Sequence, residues 1–435
     1  MFRRIVKTLI PRRLFRRIEP YGHLVETFLA NLYYGFPARG LKVIGVTGTD
    51  GKTTTTTLIW TMMKQAGYKA GYMTTIGYGT PQWQRYNKVH MTSMQAFPLM
   101  SRIKAMRAAG IEWLVLETTS HALAQNRVWG VPFSVAVMTN VNHEHLDYHG
   151  TFERYRDAKR RMFQLAADNR AGLQTGIINA EDPSADLFAA DVPSSILYGI
   201  DGGSVKATNI TATPTGSEYT VKRGNSTLHI NLHLPARFNV YNSLAAVSTG
   251  IAVGLTNKQI EQGIAALGNV EGRMTKVEEG QDYHVIVDFA HTPASFEKLL
   301  SDMRSQVKAP QKLIVMFGSA GRRDEAKRAI QGGIAGHYAD IVVITEEDDR
   351  DIDGQGIVEQ IATGAETSGK VRDKNLFLVH DRSEAIAFAM QQASSGDTVM
   401  LLGKGHETTI ERGGGEEPWN ELAEAKQAIH NKRKT

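Results

Sequence analysis

The sequence predicts an α/β protein with two sheet-centred domains. The central one carries a phosphate-binding strand–turn–helix, with a parallel sheet plus a small antiparallel sheet. A C-terminal Rossmann-like α/β domain follows. Three observations predict this. From residue 41 on, short apolar runs ending in polar residues alternate with helical segments. A Gly/Thr-rich turn joins the first of these runs to a helix. A second βα series begins near residue 283, the pattern of a mainly parallel, doubly wound sheet. The 435 residues exceed one ordinary core, which agrees with two or three domains.

Taken in chain order, residues 1–40 form a basic, amphipathic lead. Phe2, Ile5, Val6, Leu9 and Ile10, then Leu14, Phe15 and Ile18, alternate with arginines, and Pro11 interrupts the pattern. Residues 24–36 are apolar enough to pack on something, and Pro37 ends them. Residues 41–46 read as a buried strand, and the helix after the turn runs to about Gln65. Residues 113–117 and 134–140 are further buried strands. Residues 205–235 alternate polar with apolar, as antiparallel strands do, and an Ala-rich helix covers 239–254. A boundary near residues 270–272 separates a central domain, 41–271, from a C-terminal domain, 272–435. In the latter, strands are expected at 284–288, 312–317, 340–345, 375–379 and 398–402.

The absence of cysteine excludes disulfides, thiolate metal sites and a cysteine nucleophile, and is compatible with the reducing cytoplasm. A net charge of +5 suggests nucleic acid only until it is located. Seven basic residues stand against Glu19 in residues 1–20, and Lys432, Arg433 and Lys434 sit at the other end. The body between is mildly acidic, so no nucleic-acid partner is expected. No apolar run is long enough to span a bilayer, and no signal-peptide pattern opens the chain. Residues 1–20 have two readings. One is peripheral contact with anionic lipid at the inner face of the membrane; the other is a solvated or core-docked lead-in. A monomer is the default expectation.

The segment Gly45-Val-Thr-Gly-Thr-Asp-Gly-Lys-Thr-Thr54 lies between strand and helix, where a phosphate loop belongs. Gly48, Thr49, Asp50 and Gly51 can curl their N–H groups around phosphate oxygens. Lys52 can reach the β- and γ-phosphates of ATP, the Thr53 hydroxyl can bind Mg²⁺, and Thr54 follows in the first helical turn. The spacing departs from a strict Walker loop, because Val46 stands where glycine is usual.

Thr-Gly-Thr-Asp-Gly-Lys-Thr-Thr resembles the ATP loop of the Mur ligase family, and further segments extend the resemblance. Leu116-Glu-Thr-Thr-Ser-His-Ala-Leu123 and Thr139-Asn-Val-Asn-His-Glu-His-Leu-Asp-Tyr-His-Gly150 are similar to family segments, the second especially to ligases adding the third residue of a stem peptide. The resemblance implies that Glu117 and His145 are Mg²⁺ ligands. It also implies that Lys159 is carbamylated and so becomes an anionic ligand; the other reading is one more basic residue beside Arg160 and Arg161. Asn239 and Asn242, in Ala236-Arg-Phe-Asn-Val-Tyr-Asn242, are implied to approach the adenine. Arg273, Asp288 and His291 match Gly-Arg-Met and Asp-Tyr-Ala-His-Thr-Pro segments and are implied to face the nucleotide, with Arg273 near the transferring phosphate.

On the acceptor side, Thr119, Ser120, Gln125 and Arg127 match substrate-contacting positions, and Thr92 and Ser93 stand where Thr-Thr-Pro is usual. Gly318-Ser-Ala-Gly-Arg-Arg-Asp-Glu-Ala-Lys-Arg328 and Gly403-Lys-Gly-His-Glu407 are similar to segments in which Arg323, Gly403 and Glu407 hold the incoming amino acid. Glu347-Asp-Asp-Arg350 replaces Asp-Asn-Pro-Arg; it keeps Arg350 and adds acids, Asp348 among them, which favours an amino acid with a distal amine. The family's N-terminal UDP-binding domain has no counterpart in the 40 residues before Leu41. The implied reaction is ATP-dependent amide formation through an acyl phosphate. It joins diaminopimelate or lysine to a UDP-N-acetylmuramoyl-dipeptide-like carboxylate in peptidoglycan precursor synthesis. A same-fold ligase acting on a non-UDP carboxylate, or a membrane-attached ATP-binding scaffold without ligase chemistry, are the alternatives.

Overall fold

The computed structural model describes residues 12–87, 94–213 and 216–433. The chain forms two compact units. The first comprises the described residues up to Ile210, with Glu218–Leu232 and Phe238–Leu267; the second takes Thr211–Ser217, His233–Arg237 and the residues from Gly268 on.

The first unit is built on an eleven-stranded sheet. Its strands are β1 (Lys42–Thr47), β2 (Ala70–Met73), β3 (Gly77–Gly79), β4 (Gln84–Tyr86), β5 (Trp113–Glu117) and β6 (Phe133–Met138). After these come β7 (Thr175–Asn179), β8 (Ser194–Gly199), β9 (Val205–Thr213), β10 (Gly216–Arg223) and β11 (Ser226–Leu232). Their spatial order is β11-β10-β9-β8-β7-β6-β1-β5-β2-β3-β4. β1 lies between β5 and β6, both parallel to it, and all but its first residue is buried. That double burial is why it reads as a continuous apolar run. The alternating strands expected as a small antiparallel sheet are β9 to β11, and they extend this same sheet through β8. The core on one face joins Val43, Leu114, Phe133, Tyr155, Met162 and Phe163.

Residues 12–34 form one helix, Arg12–Tyr34, with Pro20 inside it. The sequence suggests two separate apolar stretches here. Side-chain hydrogen bonds tie this helix to the segment after β5: Asn126 Nδ2 donates to Pro20 O (3.1 Å) and Asn31 Nδ2 to Trp129 O (3.1 Å).

The second unit holds a six-stranded sheet, β12 (Thr275–Lys276), β13 (His284–Asp288), β14 (Leu313–Phe317), β15 (Ile341–Ile344), β16 (Leu376–Leu378) and β17 (Thr398–Leu402), ordered β12-β13-β17-β14-β15-β16. Only β12 runs antiparallel to its neighbour. A two-stranded ribbon, β18 (Thr409–Arg412) with β19 (Gly415–Pro418), follows. The last helix, Glu421–Lys432, is tied in by a fully buried ion pair, Arg382 donating to both Glu421 oxygens at 2.9 and 2.6 Å.

Candidate functional site

In the first unit the phosphate loop hangs from the buried strand β1, and its shape is fixed from the far side. Thr49 N donates to Asn140 O (2.8 Å), Asp50 N to Asn140 Oδ1 (3.0 Å), and Thr139 Oγ1 to Asp50 O (2.6 Å). Thr49 Oγ1 accepts from Asn142 N (2.8 Å) and meets the Tyr155 hydroxyl at 3.0 Å. The approach is so close that side chains have no room. A Cβ at Gly48 would stand 1.8 Å from Thr139 Oγ1, and one at Gly51, where φ is +79°, 2.2 Å from Asn242 Oδ1.

Two lysines converge on one carbonyl of this loop. Lys52 Nζ donates to Gly48 O (3.1 Å) and Thr49 O (2.7 Å), and Lys159 Nζ donates to the same Gly48 O (2.5 Å). Lys159 is buried on the helix Phe152–Asp168, over the ring of Tyr155. Burial, then the charge of Lys52, push its pKa well below the ordinary lysine value. The shift favours the uncharged, nucleophilic amine relative to a solvated lysine.

Thr53 Oγ1 donates to both oxygens of buried Glu117 (3.1 and 2.9 Å), and Glu117 also accepts from Thr75 N (2.9 Å) and Thr75 Oγ1 (3.0 Å). A hydroxyl beside a carboxylate is an all-oxygen donor set that fits a hard cation such as Mg²⁺. Thr54 is buried behind Thr53. His145 opens the short helix Leu146–His149 with φ +55°; its ring packs edge-on to His121 at 4.8 Å, with Nε2 3.7 Å from Glu144 Oε2. Asn242 Nδ2 donates to Asn239 Oδ1 (2.9 Å), and Thr55 Oγ1 to Asn242 Oδ1 (3.4 Å), so this pair of amides abuts the loop.

Nearby, Thr119 caps the helix Ser120–Ala124 by accepting from Ala122 N (3.2 Å). Ser120 Oγ meets His149 Nε2 at 3.1 Å, and Gln125 Nε2 donates to the Tyr148 hydroxyl (2.9 Å). Arg127 is half-buried beyond this helix, its N–H bonded to Ala122 O (2.9 Å). Thr92 and Ser93 lie outside the described residues.

In the second unit the expected residues gather at the C-terminal ends of the parallel strands, where open α/β sheets bind ligands. Asp288 ends β13 and accepts from Met274 N and Ala290 N, both at 2.8 Å. The Arg273 guanidinium lies 4.8 Å over the Phe289 ring. His291 Nδ1 meets Phe289 O at 2.9 Å, and Lys327 Nζ donates to His291 O (3.1 Å).

Around β15 and β17, buried Lys404 bridges Asp348 (2.8 Å) and Glu407 (2.6 Å). Arg350 is bound to Glu411 (2.8 Å) and Gly321 O (2.9 Å), and Arg323 is exposed on the loop after β14. Glu346, Asp349 and His380 come close enough to hold a metal, but the Arg412 guanidinium already forks onto both Glu346 oxygens (3.0 and 2.5 Å).

Sequence reasoning missed the anchors. Asn140 and Tyr155 shape the phosphate loop, and Lys404 and Glu347 sit inside the second cluster, Glu347 Oε2 lying against Gly403. Asn140, Glu347 and Lys404 stand in segments quoted for other residues, and Tyr155 lies four positions before Lys159, so their neighbourhood was the available signal.

Burial pushes the Glu347 carboxyl up to about 7, with Lys327 the largest opposing influence. A folded-state pKa raised above the ordinary 4.5 contributes stability that is present below pH 4.5 and lost as pH rises through about 7. Glu347→Gln keeps the shape without the charge. Urea unfolding should therefore show E347Q gaining, relative to wild type, about 2–3 kcal/mol more at pH 8 than at pH 4.5. An equal difference at both pH values would contradict the buried-charge account.

Comparison with known proteins gives consistent matches. The Mur ligase middle domain matches residues 46–250, and the Mur ligase, glutamate ligase domain matches residues 272–405. A UDP-N-acetylmuramyl-tripeptide synthetase of Roseiflexus sp. (strain RS-1) is 38% identical over 422 residues, covering 94% of this chain and 82% of that protein. A UDP-N-acetylmuramoyl-L-alanyl-D-glutamate--2,6-diaminopimelate ligase of Geobacillus thermodenitrificans is 36% identical, covering 96% of this chain and 84% of that protein. A solved diaminopimelate ligase of the same description superposes with a TM-score of 0.68 at 27% identity, over 96% of this chain and 84% of that one.

Proposed function

Because the chain belongs to the Mur ligase family of ATP-dependent, amide-forming ligases, we propose that it joins lysine or diaminopimelate to a UDP-N-acetylmuramoyl-dipeptide in building peptidoglycan precursors. ATP as co-substrate fits a cytoplasmic reaction.

A carboxylate does not condense with an amine at neutral pH, so it is activated first. An acceptor carboxylate oxygen attacks the γ-phosphorus of ATP, ADP leaves, and an acyl phosphate results. The free amine of the incoming amino acid then attacks the acyl carbon, phosphate departs, and the amide remains. The phosphate loop holds the nucleotide, and Lys52 spreads its charge over the transferring oxygens. Bound Mg²⁺ would neutralise β- and γ-phosphate charge, held by Thr53, Glu117 and His145. Lys159, as a carbamate, would offer an anionic oxygen donor in place of its amine. Asn239 and Asn242, which abut the loop, would border the adenine.

One observation carries the choice of amino acid: acids outnumber bases around β15 and β17. Glu346, Glu347, Asp348, Asp349, Glu407, Glu411 and Glu421 stand with Lys327, Arg350, Arg382, Lys404 and Arg412. The surplus suits a cationic distal amine and opposes a second carboxylate such as that of glutamate. Exposed Arg323 is placed to take the α-carboxylate.

Phosphate release from ATP, with products read by mass spectrometry, tests this over a panel of acceptors and amino acids. Release that requires both the UDP-muramoyl dipeptide and lysine or diaminopimelate is expected. Turnover with glutamate, or with an acceptor lacking UDP in preference to the dipeptide, would overturn it.

A further inference from the structure

The helix Arg12–Tyr34 has two faces, and one of them meets the rest of its unit. His23, Thr27, Ala30 and Asn31 are buried on the inner face. The opposite face presents Tyr21 (70% exposed), Val25, Leu29, Leu32 (60%) and Tyr33 (74%). These positions recur every three or four residues, so they form one stripe along the helix. No charge interrupts it. Glu19 and Glu26, the acids of this helix, turn toward His23 at 4.0 and 3.4 Å instead. Aromatic rings widen the stripe, for Phe97 lies 6.2 Å from Tyr33, and Trp129 5.7 Å from Phe28. Singly scattered apolar side chains need no explanation, but a continuous uncharged strip on one helix does.

Charge indicates what covers it. The helix Ala96–Ala108, packed beside this one, carries Arg102, Lys104 and Arg107 and no acid. Lys104 Nζ stands 5.8 Å from the Tyr34 ring. Upstream the sequence adds Arg3, Arg4, Lys7, Arg12, Arg13, Arg16 and Arg17 against Glu19. A second copy of the chain would bring these cations against their own kind. An anionic bilayer meets them with opposite charge, accepts the aliphatic stripe, and suits Tyr and Trp at its headgroup level.

We propose that this face of the helix Arg12–Tyr34 lies in the headgroup region of an anionic lipid bilayer, holding the protein at the membrane surface. It does not cross: among the described residues, no helix is long and apolar enough to do so.

The test is co-sedimentation of the full chain with vesicles of phosphatidylcholine alone, or of phosphatidylcholine with phosphatidylglycerol. Wild type should sediment with the anionic vesicles only, and less so as salt rises. The triple variant Val25→Gln/Leu29→Gln/Leu32→Gln should bind them about tenfold or more weakly. Its thermal shift on adding ATP should match wild type, showing a folded protein. None of these readings requires turnover, so they stand apart from the ligase assay. Wild type left in the supernatant with both vesicles would overturn the proposal, as would a variant that sediments like wild type. So would a concentration-dependent dimer in ultracentrifugation that the triple substitution dissolves while wild type ignores vesicles.

Discussion

Lys159→Ala is expected to lower turnover by about a thousandfold or more, the scale of losing a charge-stabilising group in a water-poor site. The reasoning rests on where the amine sits. Lys159 is buried, its Nζ lies 2.5 Å from Gly48 O, and burial holds its pKa well below the ordinary lysine value. An uncharged amine can add to carbon dioxide, which a solvated ammonium cannot do. The resulting carbamate would place an anion where two lysine amines otherwise crowd one carbonyl. Phosphate release at saturating substrates measures the loss. Formate or acetate should restore part of it by supplying the missing carboxylate. Removing Lys159 also removes an anchor of the loop, so ATP affinity is measured beside turnover. If ATP binding falls while per-complex turnover stays normal, the lysine is structural. Wild-type turnover in the variant would end the carbamate reading.

Lys52→Ala should cost about a hundredfold to a thousandfold in turnover. An ammonium has three N–H bonds. Lys52 directs two at Gly48 O (3.1 Å) and Thr49 O (2.7 Å), which leaves one for a phosphate oxygen. The side chain is therefore both a clasp on the loop and a counter-charge. Arginine keeps the charge but carries a planar fork in place of a compact head, so Lys52→Arg should recover little. Fluorescent-nucleotide binding separates the two roles. Alanine and arginine variants that turn over like wild type would remove Lys52 from the mechanism.

What the sequence made legible follows the range of the interactions. Gly48 to Thr53 was readable because strand, turn and helix are adjacent in the chain, and local chemistry dictates the loop. The partnership of Thr53 with Glu117 spans 64 positions and was reached through resemblance. The loop's anchor on Asn140, 90 positions away, was not assigned, since no local pattern marks a side chain that bonds a distant backbone. The same holds for Lys404, whose two acids are 56 and 3 positions off. Alternation at 205–235 announced strands, but the parallel pairing of β9 with β8 is a choice of neighbour that alternation within one strand does not display. The apolar residues up to Ile18 and the run 24–36 read as two stretches, whereas Arg12–Tyr34 is one helix with Pro20 inside it.

The buried pair Arg382–Glu421 bears on how the chain comes off the ribosome. Arg382 sits in the interior, and its partner is 39 residues later, on the final helix. Until Glu421 has been synthesised, that guanidinium lacks the carboxylate it forks onto, and removing one partner of a buried pair costs about 3–5 kcal/mol. The second unit thus reaches its stable form only once residue 421 has been made. A transcript cut short before residue 421 would release a chain holding every strand of that sheet and a buried Arg382 without its paired carboxylate.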